Sequence, residues 1–147
     1  MTLVAAVAQN AVIGRNGSLP WHIAEDLRLF RFLTRGKTLV VGRKTFQSPG
    51  FPLADRKHIV VDRNFVPTAF PDDAFVVGGA QIYRLFWPRV RRVFISLIHA
   101  EFDGDVFLPE EIFALVAGGC SNFQLVERRF YAVLPVPFTF YDFRRRD

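Results

Sequence analysis

The sequence predicts a single-domain α/β fold: three layers, with a mixed, mostly parallel sheet flanked by helices and closed by a C-terminal antiparallel hairpin. Three observations lead there. Leu3 to Ala8, Leu39 to Val41, Ile59 to Val61 and Phe75 to Val77 are apolar on consecutive residues, as in strands covered on both faces. Helical patterns alternate with these strings early in the chain, the order that builds parallel strands. Phe123 to Val133 and Val136 to Arg144 are rich in aromatic and β-branched residues and flank a proline-containing turn.

The bulk numbers set the scale. A chain of 147 residues, 50% hydrophobic and 22% charged, can build one core and one cleft. No apolar run reaches the ~20 residues of a membrane span. The N-terminal run is short, lacks a basic leader and is followed by Gln9 and Asn10, so it reads as a strand rather than a signal peptide. Cys120 is the only cysteine, which rules out an internal disulfide, offers no metal-ligand spacing and suits a reducing, cytoplasmic setting. Its plainest reading is a small buried hydrophobe. The net charge of +5, from 16 arginines and 3 lysines against 14 acids, favours anionic ligands without choosing among them.

After the first strand, Asn10 to Ser18 reads as a loop to which Gly14 and Gly17 give backbone freedom. A helix follows from about Ile23 to Thr34. Placed at ~100° per residue, Ile23, Asp26, Leu27, Phe30, Leu33 and Thr34 share one sector, while Glu25, Arg28 and Arg31 fall outside it. A carboxylate therefore sits among core-facing side chains. An acid in a first helical turn also gains about 0.3 to 1 kcal/mol from the exposed amides, so the placement alone does not prove a site. Leu19-Pro20-Trp21 makes a stiff, aromatic entry to the helix, and Trp21 could cover a ligand and donate one indole N–H, or simply join the core.

The next strand, about Thr38 to Gly42, ends in Gly42-Arg43-Lys44-Thr45, where free amides, two cations and a hydroxyl converge on the start of a short helix. That suits a phosphate, although a solvated turn has the same composition. Gly78-Gly79 follows the strand Phe75 to Val77 and precedes a helix from about Ala80 to Trp87, stopped by Pro88. Ligands of open α/β sheets gather at such carboxyl ends, but the three-glycine dinucleotide fingerprint is absent. Arg63, just past Val61, could hold a phosphate bidentately, and Arg56 a carboxylate, with Phe30, Pro49 and Leu53 as apolar walls.

Together these residues resemble the dihydrofolate reductase family. The signature runs Val12-Ile13-Gly14, Leu19-Pro20-Trp21, Asp26, Phe30 and Thr34. It continues through Gly42-Arg43-Lys44-Thr45-Phe46, Pro52-Leu53 with Arg56, Gly78-Gly79-Ala80-Gln81-Ile82-Tyr83, and Asp103-Gly104-Asp105 with Phe107 and Pro109. The resemblance covers nearly the whole chain. It implies reduction of 7,8-dihydrofolate by NADPH in a cytoplasmic monomer serving one-carbon metabolism and thymidylate synthesis, with no membrane or nucleic-acid partner and no metal.

By the same resemblance Asp26 binds the pterin amidine edge with help from Ser96, and Leu27 and Phe30 flank the ring, with Pro49 and Leu53 beside it. Arg56 pairs with the glutamate tail, and Ala6 lies near both ligands. Ile13, Gly14, Ala80 and Tyr83 surround the nicotinamide and its ribose, and Gln81 and Ile82 join Gly78 and Gly79 on the cofactor side. Gly42 to Thr45 serve the pyrophosphate and adenosine, and Arg43 with Arg63 a 2′-phosphate. Asp26, Trp21 and Tyr83 form the catalytic group, Asn10 to Ser18 a closing loop, and Gly78-Gly79 a cis peptide.

The sequence departs from the family between Arg56 and Gly78, where relatives carry an extra helix and more loop. The adenine is therefore expected on Lys44 and the segment Asp62 to Phe65. Asp62 replaces a serine or threonine that often precedes Arg63, and an acid beside a phosphate is electrostatically unhelpful. A riboflavin-pathway reductase shares the general fold but is not expected to carry Pro20-Trp21 with Asp26. A structural or nucleic-acid-binding role would lean on Arg89-Val90-Arg91-Arg92 and Arg144-Arg145-Arg146, runs with little aromatic interleaving.

Overall fold

The computed structural model describes residues 1–119 and 122–146; Cys120, expected to be a small buried hydrophobe, lies outside the described residues. The elements in chain order are β1 (Thr2–Ala8), β2 (Val12–Gly14), α1 (Ala24–Thr34), β3 (Thr38–Gly42), α2 (Arg43–Phe46), β4 (Lys57–Val61), β5 (Phe75–Val76), α3 (Ala80–Phe86), β6 (Arg92–Ile98), β7 (Val106–Phe107), α4 (Glu110–Ala117), β8 (Phe123–Tyr131) and β9 (Phe138–Arg145). Seven strands form one sheet in the order β4-β3-β5-β1-β6-β9-β8. The first five run parallel to one another, and β9 is antiparallel to both β6 and β8. The expected mixed, mostly parallel sheet with a C-terminal hairpin is what forms.

The continuous apolar strings are explained by which side each residue takes. Along β1, Leu3, Ala5 and Val7 pack with Tyr83 and Phe86 of α3 and Ile112 and Leu115 of α4. Val4, on the opposite face, packs with Phe94 and Phe140 and with Leu29, Phe30 and Leu33 of α1. In β3, Val40 takes the first face and Leu39 and Val41 the second. Both faces are covered, which removes the alternation a half-exposed strand would show. Each fully buried Leu, Ile or Val contributes roughly 1.5 to 3 kcal/mol.

Three differences from the sequence reading have local causes. The stretch after β7, read as strands, holds α4. Pro109 precedes it, Glu110 and Glu111 fill its first turn, and Gly118 ends it at φ +82, an arrangement that matches helix start and stop chemistry. Asn10 to Ser18, read as loop throughout, contains β2, which pairs with β7 in a separate two-stranded ribbon. At its other end α3 stops at Phe86 and tightens into a 3-10 turn over Trp87–Arg89, where Pro88 denies the helix its hydrogen bond.

Part of each basic run is tied into the fold. Arg92 pairs with the buried Asp142 at 2.9 Å, and Arg144 reaches the same carboxylate at 4.0 Å. Arg145 donates to Val90 O and Trp87 O and lies over the Phe123 ring at 4.6 Å. Arg89, Arg91, Arg144 and Arg146 keep exposed side chains. No described helix is long and apolar enough to cross a membrane.

Candidate active site

A cleft of about 1290 Å³ opens at the carboxyl ends of the parallel strands, between α1 on one side and α2 and α3 on the other. This is the position at which open α/β sheets bind ligands. It gathers every candidate residue except Arg56: Ala6, Ile13, Gly14, Trp21, Asp26, Leu27, Phe30, Pro49, Leu53 and Ser96, together with Gly42, Arg43, Lys44, Thr45, Asp62, Arg63 and the whole run from Gly78 to Tyr83. Residues far apart in sequence meet because strand ends and helix starts alternate along one rim.

Asp26 is the centre of the inner half. It lies in the first turn of α1 and is only 7% exposed. The half-exposed side chains on its face, Leu27 and Phe30, line the cleft, Phe30 also packing against the Val4 side of the sheet. Burial raises its carboxyl from 3.8 to about 6, and a hydrogen bond with the Ser96 side chain partly opposes that shift. Ser96 reaches it from the middle of β6, where it stands beside Ala6 of β1 in the parallel register. Among the described residues the carboxyl forms no ion pair, so a cationic, hydrogen-bond-donating ligand edge would complement it.

Trp21 closes the same end. Its ring packs on Phe102, centroids 5.2 Å apart, and its indole Nε1 is buried with no acceptor among the described residues. A buried donor without an acceptor costs about 1 to 3 kcal/mol, so this nitrogen is suited to a ligand or a bridging water. Across the floor, the Tyr83 hydroxyl donates to Val4 O at 2.7 Å. Burial holds its proton more firmly than in a free phenol. Tyr83 therefore presents its ring to the cleft with its hydroxyl already committed.

The outer half is built of bare backbone and free cations. Gly78-Gly79 is a cis peptide, as expected, and Gly42 N–H donates to Gly78 O at 2.8 Å. A Cβ on Gly42 would lie 2.9 Å from Ile82 Cγ1, and Gly79 passes close to Thr45 Oγ1. Neither α2 nor α3 has a side-chain cap, so their first amides face the cleft unclaimed. Among the described residues Arg43, Lys44 and Arg63 form no ion pair. Close backbone, free amides and unpaired cations fit a phosphorylated dinucleotide. Between β4 and β5 there is no helix among residues 62–74, but a turn in which Asp62 and Phe65 exchange backbone hydrogen bonds and a second one closed by Ala74 N–H donating to Pro71 O.

Arg56 is half-buried beside Arg31, which lines the cleft. It donates Nε to Thr34 Oγ1 at 3.0 Å, Nη2 to Arg31 O at 2.7 Å and Nη1 to Ala54 O. Three of the five guanidinium N–H groups are thereby used, leaving one on each terminal nitrogen for a carboxylate.

Sequence reasoning missed Phe94 and Phe140, which pave the cleft beneath the α1 side chains with centroids 5.6 Å apart. Phe94 is two residues before Ser96 on β6 and so shares its face, a signal that strand periodicity offered. Phe140 is reached only through the antiparallel register that sets it opposite Ser96, and no sequence pattern gives that register. No cluster of metal-binding side chains occurs among the described residues.

Comparison with known proteins places this geometry. A family model described as dihydrofolate reductase matches residues 1–132. The chain is 37% identical to the dihydrofolate reductase of Bacillus subtilis, with 75% of this chain and 76% of that protein covered. It is 38% identical to the type A13 dihydrofolate reductase of Escherichia coli, covering 73% and 76%. Among solved structures, the dihydrofolate reductase of Enterococcus faecalis complexed with NADP(H) and RAB-propyl superimposes with a TM-score of 0.82 at 25% identity, covering 99% of this chain and 96% of that one.

Proposed function

The chain belongs to the dihydrofolate reductase family, and on that premise we propose how its own residues serve the reduction of 7,8-dihydrofolate to tetrahydrofolate by NADPH. When bound, NADPH supplies the hydride that the pterin accepts. The chain's part is to hold the two ligands in contact, exclude water and manage one proton.

In this reading Asp26 holds the amidine edge of the pterin, with Ser96 fixing the carboxyl. Leu27, Phe30, Pro49 and Leu53 sandwich the ring and its linker over the Phe94 and Phe140 floor. The two free N–H groups of Arg56 hold the glutamate carboxylate as a fork. Trp21 Nε1 donates to a bridging water or to the pterin, and Ala6, lacking bulk, lets both ligands approach β1. On the other side Ile13, Gly14, Ala80 and the Tyr83 ring enclose the nicotinamide. Gly78, Gly79, Gln81, Ile82, Gly42 and Thr45 pass along the pyrophosphate, and Arg43, Lys44, Asp62 and Arg63 meet the adenosine half.

The reaction also needs a proton at the pterin N5. Asp26 is the one buried carboxyl in the cleft whose affinity for a proton is raised toward neutrality, and this carries the proposal. It supplies the proton or sets the charge that lets water supply it. We read the chain as one catalytic domain, a cytoplasmic monomer whose product feeds one-carbon metabolism and thymidylate synthesis. Mixing the purified chain with NADPH and dihydrofolate tests this: loss of reduced-nicotinamide absorbance is expected, and its absence would refute the reading.

A further inference from the structure

The end of β4 carries a carboxylate to which the reading above gives a place beside the adenosine but no partner. Asp62 lines the cleft directly beside Arg63. Its Oδ1 accepts from Asn64 N–H at 2.8 Å, and the Asp62–Phe65 backbone bridge closes the turn around it. The carboxylate is thus held in place, yet among the described residues it forms no ion pair with either neighbouring arginine.

Direction along the cleft identifies what reaches it. The reacting end of a dinucleotide must meet the pterin over Ala6 and Ser96, in the middle of the sheet. From there the chain of phosphates passes Gly78, which follows β5, and Gly42, which ends β3. The far nucleoside then lies beyond β4, the edge strand. In the parallel register Gly42 is paired with Val61, so Arg43 and Asp62 leave the sheet side by side. In doubly wound folds an acid at a neighbouring strand end accepts from a ribose 2′-hydroxyl, while an arginine there accommodates a 2′-phosphate. This chain has both at one turn.

We infer that Asp62 is a specificity-determining residue that takes the adenosine ribose 2′-hydroxyl, so that the chain binds and uses NADH as well as NADPH, Arg43 and Arg63 serving the phosphate of the latter. The inference rests on the ligand placement proposed above. No helix from the segment between β4 and β5 encloses the adenosine, so discrimination falls to these three side chains.

Equilibrium binding of NADH and of NADPH, measured by calorimetry on the wild type, Asp62→Ser and Arg63→Gln, tests it. Serine can keep the turn to Asn64 through its own hydroxyl. Asp62→Ser should weaken NADH by about tenfold or more, the loss of one charge-assisted hydrogen bond, and tighten NADPH by removing a like charge. Arg63→Gln should weaken NADPH and leave NADH nearly unchanged. Steady-state KM values should move in the same directions. If Asp62→Ser leaves NADH binding unchanged, or weakens both nucleotides alike, the inference is overturned while the reductase reading stands. Failure of the wild type to bind either nucleotide would overturn both.

Discussion

Thr34 Oγ1 accepts from Arg56 Nε at 3.0 Å while donating to Phe30 O at 2.8 Å, so a hydroxyl with no exposed surface ties the last turn of α1 to the Arg56 guanidinium. Thr34→Val keeps the volume but leaves Nε without its acceptor. It should destabilise the fold by about 1 to 3 kcal/mol. The KM for dihydrofolate should rise about tenfold with kcat little changed, because a loosened guanidinium weakens ground-state and transition-state binding alike. A pteridine substrate lacking the glutamate should show no such rise, and steady-state kinetics on the two substrates decides the point.

In the proposed reading Asp26 trades stability for function. Its carboxyl is raised by burial from 3.8 to about 6. Between those values the folded chain keeps a proton that the unfolded chain has released. This group's contribution is therefore complete below about pH 4 and is lost as pH rises through about 6, amounting to about 3 kcal/mol by pH 7. Asp26→Asn should remove that slope and be the more stable protein at pH 7, as denaturant titrations across this range would show.

Trp21 tests the orphaned donor. Trp21→Phe deletes the buried Nε1–H but keeps most of the ring contact with Phe102. Substrate affinity or turnover should fall about tenfold, whereas the thermal midpoint should fall less than for a comparable aromatic truncation. Equal losses in both would make Trp21 a core residue only.

Gly104 locks the β2–β7 ribbon. A Cβ there would lie 2.3 Å from Val12 Cγ1 and 2.6 Å from Gly14 O, and backbone cannot yield as a side-chain end can. Next to it, Asp105 N–H donates to Gly14 O and its carboxylate accepts from Asn16 N–H. Gly104→Ala should cost about 1 to 3 kcal/mol and raise hydrogen exchange across residues 12–16, with KM for the nucleotide rising as the wall over Ile13 loosens.

Much of this is legible in the sequence because the signals are local. Gly42 and Gly78-Gly79 announce themselves by type and by position at the ends of apolar strings, and the face shared by Asp26 and Phe30 follows from helical period alone. What stayed hidden depends on register and on distant partners. Phe140 enters the floor only because β9 pairs antiparallel with β6. That Arg56 reaches back to Thr34, in a different element, is likewise invisible in sequence. The missed helix α4 is another matter: Pro109, two glutamates and a terminal glycine marked it, but its apolar core residues looked like another strand.

The central claim is that this chain reduces dihydrofolate through Asp26. The most direct measurement follows NADPH consumed and tetrahydrofolate formed by the purified chain across pH, for the wild type and Asp26→Asn. One tetrahydrofolate per NADPH is predicted, with kcat/KM for dihydrofolate falling as pH rises through about 6 in the wild type and lowered by about a hundredfold or more in Asp26→Asn. Equal turnover and an unchanged pH profile in the two proteins would contradict it.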